Sequence, residues 1–332
     1  MKKLISLILV LSMILLYSMN YLQEIKSFLK EDLFNKNINE NIEAKDDNNI
    51  NKKQIENFKK IKIGDSKKLV IEKMNKPNRI DKSEYNFSWY VYNTYKENFV
   101  MIGIKNNKVV SLFTNNIDSC ESENICIDKD INYIRENYKT LTYKHKKNIN
   151  YKIDSNDEYD IIYINKKYIT VFYDKFNNNK IWAYEIVDKS CEDEINDIYP
   201  KKNKNIEESF MYETIDLINS TRYKYNLQPL KYNENATKSA NKHSKDMKEN
   251  NYFDHKNLKN ETPFDRMKKE NIKYVTAGEN IAAGQTNAIF VHNGFMNSYG
   301  HRKNILGNYK YIGVGVVFGG KYKTYYTENF FG

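Results

Sequence analysis

The stretch Ala236-Thr-Lys-Ser-Ala240-Asn-Lys-His243-Ser-Lys-Asp-Met247 sets Ala236, Ala240, His243 and Met247 at the i, i+4, i+7, i+11 spacing of one helix face. It predicts a helix over about Glu234 to Glu249. A second helix is predicted ahead of it, from Glu207 to about Tyr225, joined through the loop Leu227-Gln-Pro-Leu230. Beyond it, Thr262-Pro-Phe-Asp265 supplies a cap hydroxyl, a proline at the first helical position and a carboxylate three residues after the cap, which starts a helix through about Asn271. A further helix is expected from about Asn287 to Asn297. The chain then runs through Ile312 to Phe318 and Lys321 to Phe330, an antiparallel hairpin across Gly319-Gly320. Helices and strands interleave without βαβ regularity, so residues 206–332 read as a layered α-β-α sandwich.

Upstream, Pro200-Lys-Lys-Asn-Lys-Asn is a polar linker, and residues 58–199 contain an internal repeat. Ile61-Lys-Ile-Gly-Asp-Ser-Lys-Lys-Leu-Val-Ile-Glu-Lys-Met reads as a strand end, a cap and an amphipathic helix closed by Asn75-Lys-Pro77. Three strand-like runs follow, Trp89 to Tyr92, Phe99 to Ile104 and Val109 to Phe113, with Asn106-Asn107 as a tight turn. A second set runs Asp160 to Ile164, Tyr168 to Tyr173 and Ile181 to Ile186, with Asn177-Asn178-Asn179 at its turn. Asn107 maps onto Asn179 and Tyr92 onto Ile164 at one common offset. The fold class is therefore α+β, a duplicated helix-plus-β-meander domain followed by the sandwich. The repeat has aromatic-rich strands and no cluster of titratable groups, which suits binding or scaffolding better than catalysis.

Met1-Lys2-Lys3 and the apolar run from Leu4 to Met19 form an export pattern, either a signal peptide or a membrane anchor over residues 1–19. No small-x-small cleavage site follows, and the run is short for a span of about 20 residues. Residues 20–57 are rich in Asn, Lys, Glu and Asp and read as a tether. The remainder is expected outside the cytoplasm or at the cell surface. Three cysteines are too few for a stapled scaffold. Cys120 and Cys126 can close a small loop and leave Cys191 unpaired, or all three can be free thiols. The formal net charge of +10 suits anionic partners, a wall polymer or lipid headgroups, or a solvated surface with none. Nucleic acid is not expected, since no binding motif accompanies the charge.

Four of the five histidines lie in the last third. His255 in Tyr-Phe-Asp-His, Glu279 in Ala-Gly-Glu-Asn-Ile-Ala and His301 in Tyr-Gly-His-Arg stand on separate segments read as loops. Imidazole and carboxylate bind divalent metals and move protons near neutral pH. His243, flanked on its helix face by Ala and Met, reads as a packed structural histidine. His292 reads as an ordinary, partly exposed helix residue. For Glu279 the structural reading is a loop fixed by bonds from side chain to backbone.

In sequence order, Leu217-Ile-Asn-Ser-Thr-Arg222, Ala240 to Met247, Tyr252-Phe-Asp-His255, Pro263-Phe-Asp-Arg266 and Gly278-Glu-Asn-Ile-Ala282 are followed by three more motifs. These are Phe295-Met-Asn-Ser-Tyr-Gly-His-Arg-Lys-Asn-Ile-Leu306, Ile312-Gly-Val-Gly-Val316 and Tyr325-Tyr-Thr-Glu-Asn-Phe330. Together they resemble the CAP superfamily (cysteine-rich secretory, antigen 5 and pathogenesis-related, or SCP-like proteins), in its bacterial extracellular form. With Ile63-Gly-Asp and Trp89-Tyr-Val-Tyr-Asn93, the repeat looks like the domain that precedes CAP in some Gram-positive exported proteins. The resemblance implies a cleft tetrad of two histidines and two glutamates. His255, Glu279 and His301 match three of its positions. The fourth falls near Ser298, which departs from the pattern. Asn280 and Arg302, inside the same motifs, are expected to be structural, and Glu328 stands where glutamine is common.

Two functions follow as expectations. One is a non-catalytic exported module whose cleft binds lipid, wall polymer or a surface protein. The other is a metal-assisted hydrolase, with zinc on His255 and His301 and Glu279 as third ligand or base. No serine or cysteine nucleophile motif supports a covalent route.

Overall fold

The computed structural model describes residues 54–332 except 94–98, 117–118, 122–123 and 147–148. The N-terminal apolar run and residues 20–53 of the expected tether lie outside the described residues. The tether's last residues do not match that reading. Residues 54–58 are helical, with Ile55 and Phe58 buried, because these two apolar side chains find a core to join.

In the N-terminal half, α1 (Lys67–Met74) starts at Ser66, whose hydroxyl accepts from the Leu69 N–H at 3.2 Å. After it come β1 (Arg79–Lys82), β2 (Ser88–Asn93), β3 (Phe99–Lys105) and β4 (Lys108–Thr114). The second copy has α2 (Ile131–Asn137), capped by Asp130, then the hairpin β5 (Tyr143–Lys146) and β6 (Ile149–Lys152). It continues with β7 (Tyr159–Ile164), β8 (Lys167–Asp174), β9 (Lys180–Asp188) and the short α3 (Lys189–Glu194). One antiparallel sheet unites the copies in the order β1-β2-β3-β4-β9-β8-β7, joined through β4 and β9. The strands align in the two copies because two differences cancel. More residues separate β2 from β3 (94–98) than β7 from β8 (165–166), and the turn after β3 (106–107) is shorter than that after β8 (175–179). Asn106, Asn107, Asn178 and Asn179 all have positive φ. Cys120 and Cys126 form a disulfide, and Cys191 is a buried free thiol.

Both faces of this sheet are covered. Val70, Met74, Ile131 and Ile134 of the two helices pack on one face with Tyr90, Tyr92 and Ile102. On the other face Trp89, Phe99, Phe113 and Phe172 share a core with Phe210, Leu217, Ile289 and Phe295 of the C-terminal half. Burying one such side chain contributes about 1.5–3 kcal/mol, so the polar linker before α4 joins two halves that fold against each other.

The C-terminal half runs α4 (Lys204–Lys224), β10 (Lys231–Tyr232), α5 (Glu234–Asn250), α6 (Pro263–Lys269), β11 (Ala277–Ala283), α7 (Ala288–Met296), α8 (Tyr299–Ile305), β12 (Tyr311–Phe318) and β13 (Thr324–Phe331). Its sheet is ordered β10-β12-β13-β11. The face of α5 carrying Ala236, Ala240, His243 and Met247 is buried. The helix lies so close to β12 that a Cβ added to Gly313 would fall 2.1 Å from the Thr237 nitrogen, and one on Gly315 2.3 Å from the Ala240 carbonyl carbon. Only glycine fits at these two positions.

Three local expectations change. The Gly278-Glu-Asn-Ile run is not a loop but strand β11, in antiparallel register with β13 over its whole length. The hairpin's last strand resumes only at Thr324, since the Gly319 N–H bonds to the Lys323 carbonyl at 2.6 Å and closes a wider turn than Gly319-Gly320 alone. His292 is fully buried, because α7 is covered by the other half's sheet: the Trp182 ring lies 5.4 Å from its imidazole. His292 Nε2 pairs with the Thr221 hydroxyl at 2.8 Å.

Candidate functional site: a histidine–carboxylate–arginine group

Glu279 is held on β11 opposite Asn329 of β13, and the next residue, Asn280, is opposite Glu328. Strand pairing, not a loop, therefore fixes the carboxylate. Its side chain is almost fully buried and both oxygens are occupied. Oε1 lies 2.8 Å from His255 Nδ1, and Oε2 accepts from an Arg266 terminal nitrogen at 2.6 Å. Asn329 adds its amide nitrogen at 3.2 Å from Oε2, in the orientation that also turns its oxygen towards the Ala240 N–H.

His255 follows α5 on an exposed loop, and about half of its side chain is open to solvent. The loop is anchored from beneath, since Arg266 also donates to the His255 and Glu261 carbonyls at 2.7 and 3.0 Å. Arg266 is set by the capping box of α6, in which the Thr262 hydroxyl and the Asp265 carboxylate satisfy each other's backbone N–H.

His301 comes from α8 and packs against Phe295, ring centres 4.8 Å apart. Burial lowers its pKa, and the nearby His255 lowers it further. The backbone around it is tied down by Asn280, which donates to the His301 carbonyl at 3.2 Å and to Glu328 Oε2 at 2.9 Å. Asn304 bonds the Glu279 carbonyl and Asn280 Oδ1.

His255 and Glu279 are thus in contact, and His301 lies near His255. Ser298 does not join them: it precedes α8 without a side-chain cap bond, and its hydroxyl bonds none of the three. The fourth side chain brought to the group is Arg266. Its motif is visible in the sequence, but nothing in Pro263-Phe-Asp-Arg266 marks the guanidinium as facing Glu279, apart from the need of a buried arginine for a carboxylate. His243 lies behind the group, buried, with Nε2 3.0 Å from the Asp254 carbonyl, and burial lowers its pKa to about 4. Arg302 is also buried but points the other way, gripping Asp174 of β8 with two bonds at 2.9 and 3.0 Å.

Zinc makes bonds of about 2.0–2.2 Å to nitrogen and carboxylate oxygen and takes three or four protein ligands. Among the described residues no three His, Cys, Asp or Glu side chains are placed to hold a metal ion. Glu279, the carboxylate against His255, is taken by a guanidinium and that histidine. The donor set as placed does not fit a three-ligand zinc site.

An α-β-α unit carrying a histidine–glutamate pair, set on an antiparallel repeat domain, defines the two-domain bacterial CAP architecture. The comparisons agree. The family described as "CAP-associated N-terminal" matches residues 63–198, and the "Cysteine-rich secretory protein family" matches residues 215–330. The membrane protein YlbC of Bacillus subtilis (strain 168) is 32% identical over 284 residues, covering 79% of this chain and 80% of YlbC. The protein YkwD of the same strain is 47% identical over 121 residues, 36% of this chain and 46% of YkwD. The chain belongs to the cysteine-rich secretory protein (CAP) family and carries the CAP-associated N-terminal domain. Among solved structures, an extracellular SCP-domain protein from Bacillus anthracis str. Ames superposes with a TM-score of 0.69 at 26% identity, covering 81% of this chain and 93% of that one. A cysteine-rich secretory protein from Staphylococcus aureus subsp. aureus Mu50 shares the fold, with a TM-score of 0.65 at 16% identity over 81% of this chain and 91% of that one.

Proposed function

We propose that this is an exported, non-catalytic cell-surface module whose His255–Glu279–His301 cleft binds an anionic wall polymer, lipid headgroup or surface protein. The observation that carries the reading is the double engagement of Glu279. A carboxylate bonded by Arg266 and His255 is a poor base and a poor metal ligand, whereas the half-exposed His255, with Nδ1 on Glu279, leaves Nε2 for a ligand. The basic net charge favours anionic partners. A surface location is supported by the description of a similar structure as extracellular and of YlbC as a membrane protein. Among the described residues no helix is long and apolar enough to cross a membrane, so attachment would fall to residues 1–19.

The test is retention on isolated cell walls and on anionic vesicles at moderate salt. Wild-type protein should be retained on one of them, and His255→Ala/His301→Ala should lose most of that retention. No retention on either, or equal retention of the two proteins, sinks the reading. The alternative, zinc held by His255 and His301, requires Glu279 to leave its present partners. Stoichiometric zinc in the wild type that disappears in the double variant would replace the binding reading with it.

A further inference from the structure

The seam between the two halves encloses a groove of about 380 Å³ that shares no lining residue with the His255–Glu279 cleft. One wall is β6, the segment after it and the chain after α3; the other is the loop at residues 284–287 with the first turns of α7. Four half-buried rings stand along it, Tyr151, Tyr159, Tyr199 and Phe290, with Phe290 edge-on to Tyr159 at 5.0 Å. The floor is fixed in advance. The Tyr85 hydroxyl donates to Glu192 Oε1 at 2.6 Å, and Lys144 pairs with the same carboxylate. Across the seam, the Asn287 amide holds the Glu84 carboxylate.

The polar groups between the rings are of mixed kind. Lys144 and Lys152 are balanced by Glu84, Asp154 and Glu158, so neither sign of charge dominates. Asn156 and Thr286 bring an amide and a hydroxyl, and Gln285 brings a further amide.

We propose that this interdomain groove, walled by Tyr151, Tyr159, Tyr199 and Phe290, is a saccharide-binding site. A pyranose ring has apolar C–H faces and a rim of hydroxyls. The faces suit flat aromatic walls, and the rim suits amides and carboxylates interleaved with them. A lipid chain would call for a continuous apolar lining, and a polyanion for an excess of cations; the groove has neither. Its volume is that of an ordinary ligand site, and domain seams are where such sites are found. The proposal stands independently of the cleft reading.

The test is calorimetric titration of the full-length protein with two neutral probes, N,N′,N″-triacetylchitotriose and cellotriose. Saturable binding is expected with at least the first. Binding of that one alone identifies an acetamido-sugar site, and binding of both a general pyranose site. Tyr151→Ala and Tyr199→Ala, at half-exposed positions where folding is readily checked by circular dichroism, should each weaken binding at least tenfold. Gln285→Ala should weaken it less, and His255→Ala should leave it unchanged. If neither trisaccharide saturates the protein, or if the tyrosine variants bind like wild type, the assignment is wrong. Loss of binding in His255→Ala would move the sugar into the cleft and overturn it equally.

Discussion

Glu328 shows how much one buried carboxyl can govern. It is fully buried in β13, accepts from Asn280 through Oε2 and has no partner for Oε1. Burial pushes its pKa up to about 8, and the Asn280 bond offsets this only in part. The folded pKa therefore lies above the unfolded one, which stands near 4.5. The folded state holds the extra proton between the two values, so the stabilisation is complete below about pH 4.5 and is lost as the pH rises through about 8. Glu328→Gln keeps the shape and the Asn280 bond without the charge. It should melt close to wild type at pH 5 and clearly above it at pH 8.5, by an amount on the order of 2–5 kcal/mol. Parallel melting curves across that range would show that Glu328 is not carrying the proton. Sequence motifs make His255, Glu279 and His301 legible because each is anchored in a local pattern. Arg266 is not, because its role depends on a strand thirteen residues further on in the chain, and Ser298 is misleading because nearness in sequence to His301 does not bring its hydroxyl to Glu279 or His255.

Among the elements, those with a clear pattern are read within a few residues: α5, α6, α7 and the six meander strands, whose apolar runs and asparagine turns mark their limits. Strand β11 escapes because Ala-Gly-Glu-Asn-Ile-Ala-Ala has neither alternation nor β-branched density, and its extended form is imposed by seven paired positions on β13. The packing of α5 on β12 makes the sharpest statement at this scale. Gly315→Val would drive a branched side chain into the Ala240 carbonyl carbon and the Asn241 nitrogen, backbone atoms that cannot rotate away. Overpacking of this kind costs 1–3 kcal/mol where side chains can yield and more where they cannot. We expect a loss of at least about 3 kcal/mol in urea unfolding. A change below about 0.5 kcal/mol, the size of an ordinary surface substitution, would mean that the helix lifts off the sheet without cost.

For the whole molecule, a polar linker between two patterned blocks suggests independent domains, and the shared core shows why that inference fails. The linker is short and exposed, while the residues that join the halves lie far from it in sequence: Trp182 donates to Asn293 at 2.7 Å, the Lys175 N–H to Asn297 at 2.8 Å, and Arg79 to Asp216 at 2.6 Å. None of these pairs has a sequence signature, because each partner alone is an ordinary polar residue. Arg302 and Asp174 form a buried ion pair of this kind, at 3% and 8% exposure. Removing one member of a buried pair leaves a charge without its counter-ion and typically costs 3–5 kcal/mol. Arg302→Met should therefore destabilise both halves together, by about that amount. Trp89 and Trp182, the only tryptophans, both belong to the repeat domain and pack at the seam, so their fluorescence follows that half together with its contact to the other. Amide exchange of β12 and β13 reports the other. In the variant both signals should shift to lower denaturant by the same amount, and Arg302→Met/Asp174→Leu, which removes both charges, should recover part of the loss. If the tryptophan transition keeps its wild-type midpoint while only β12 and β13 lose protection, the halves unfold separately and the seam is a contact between autonomous domains.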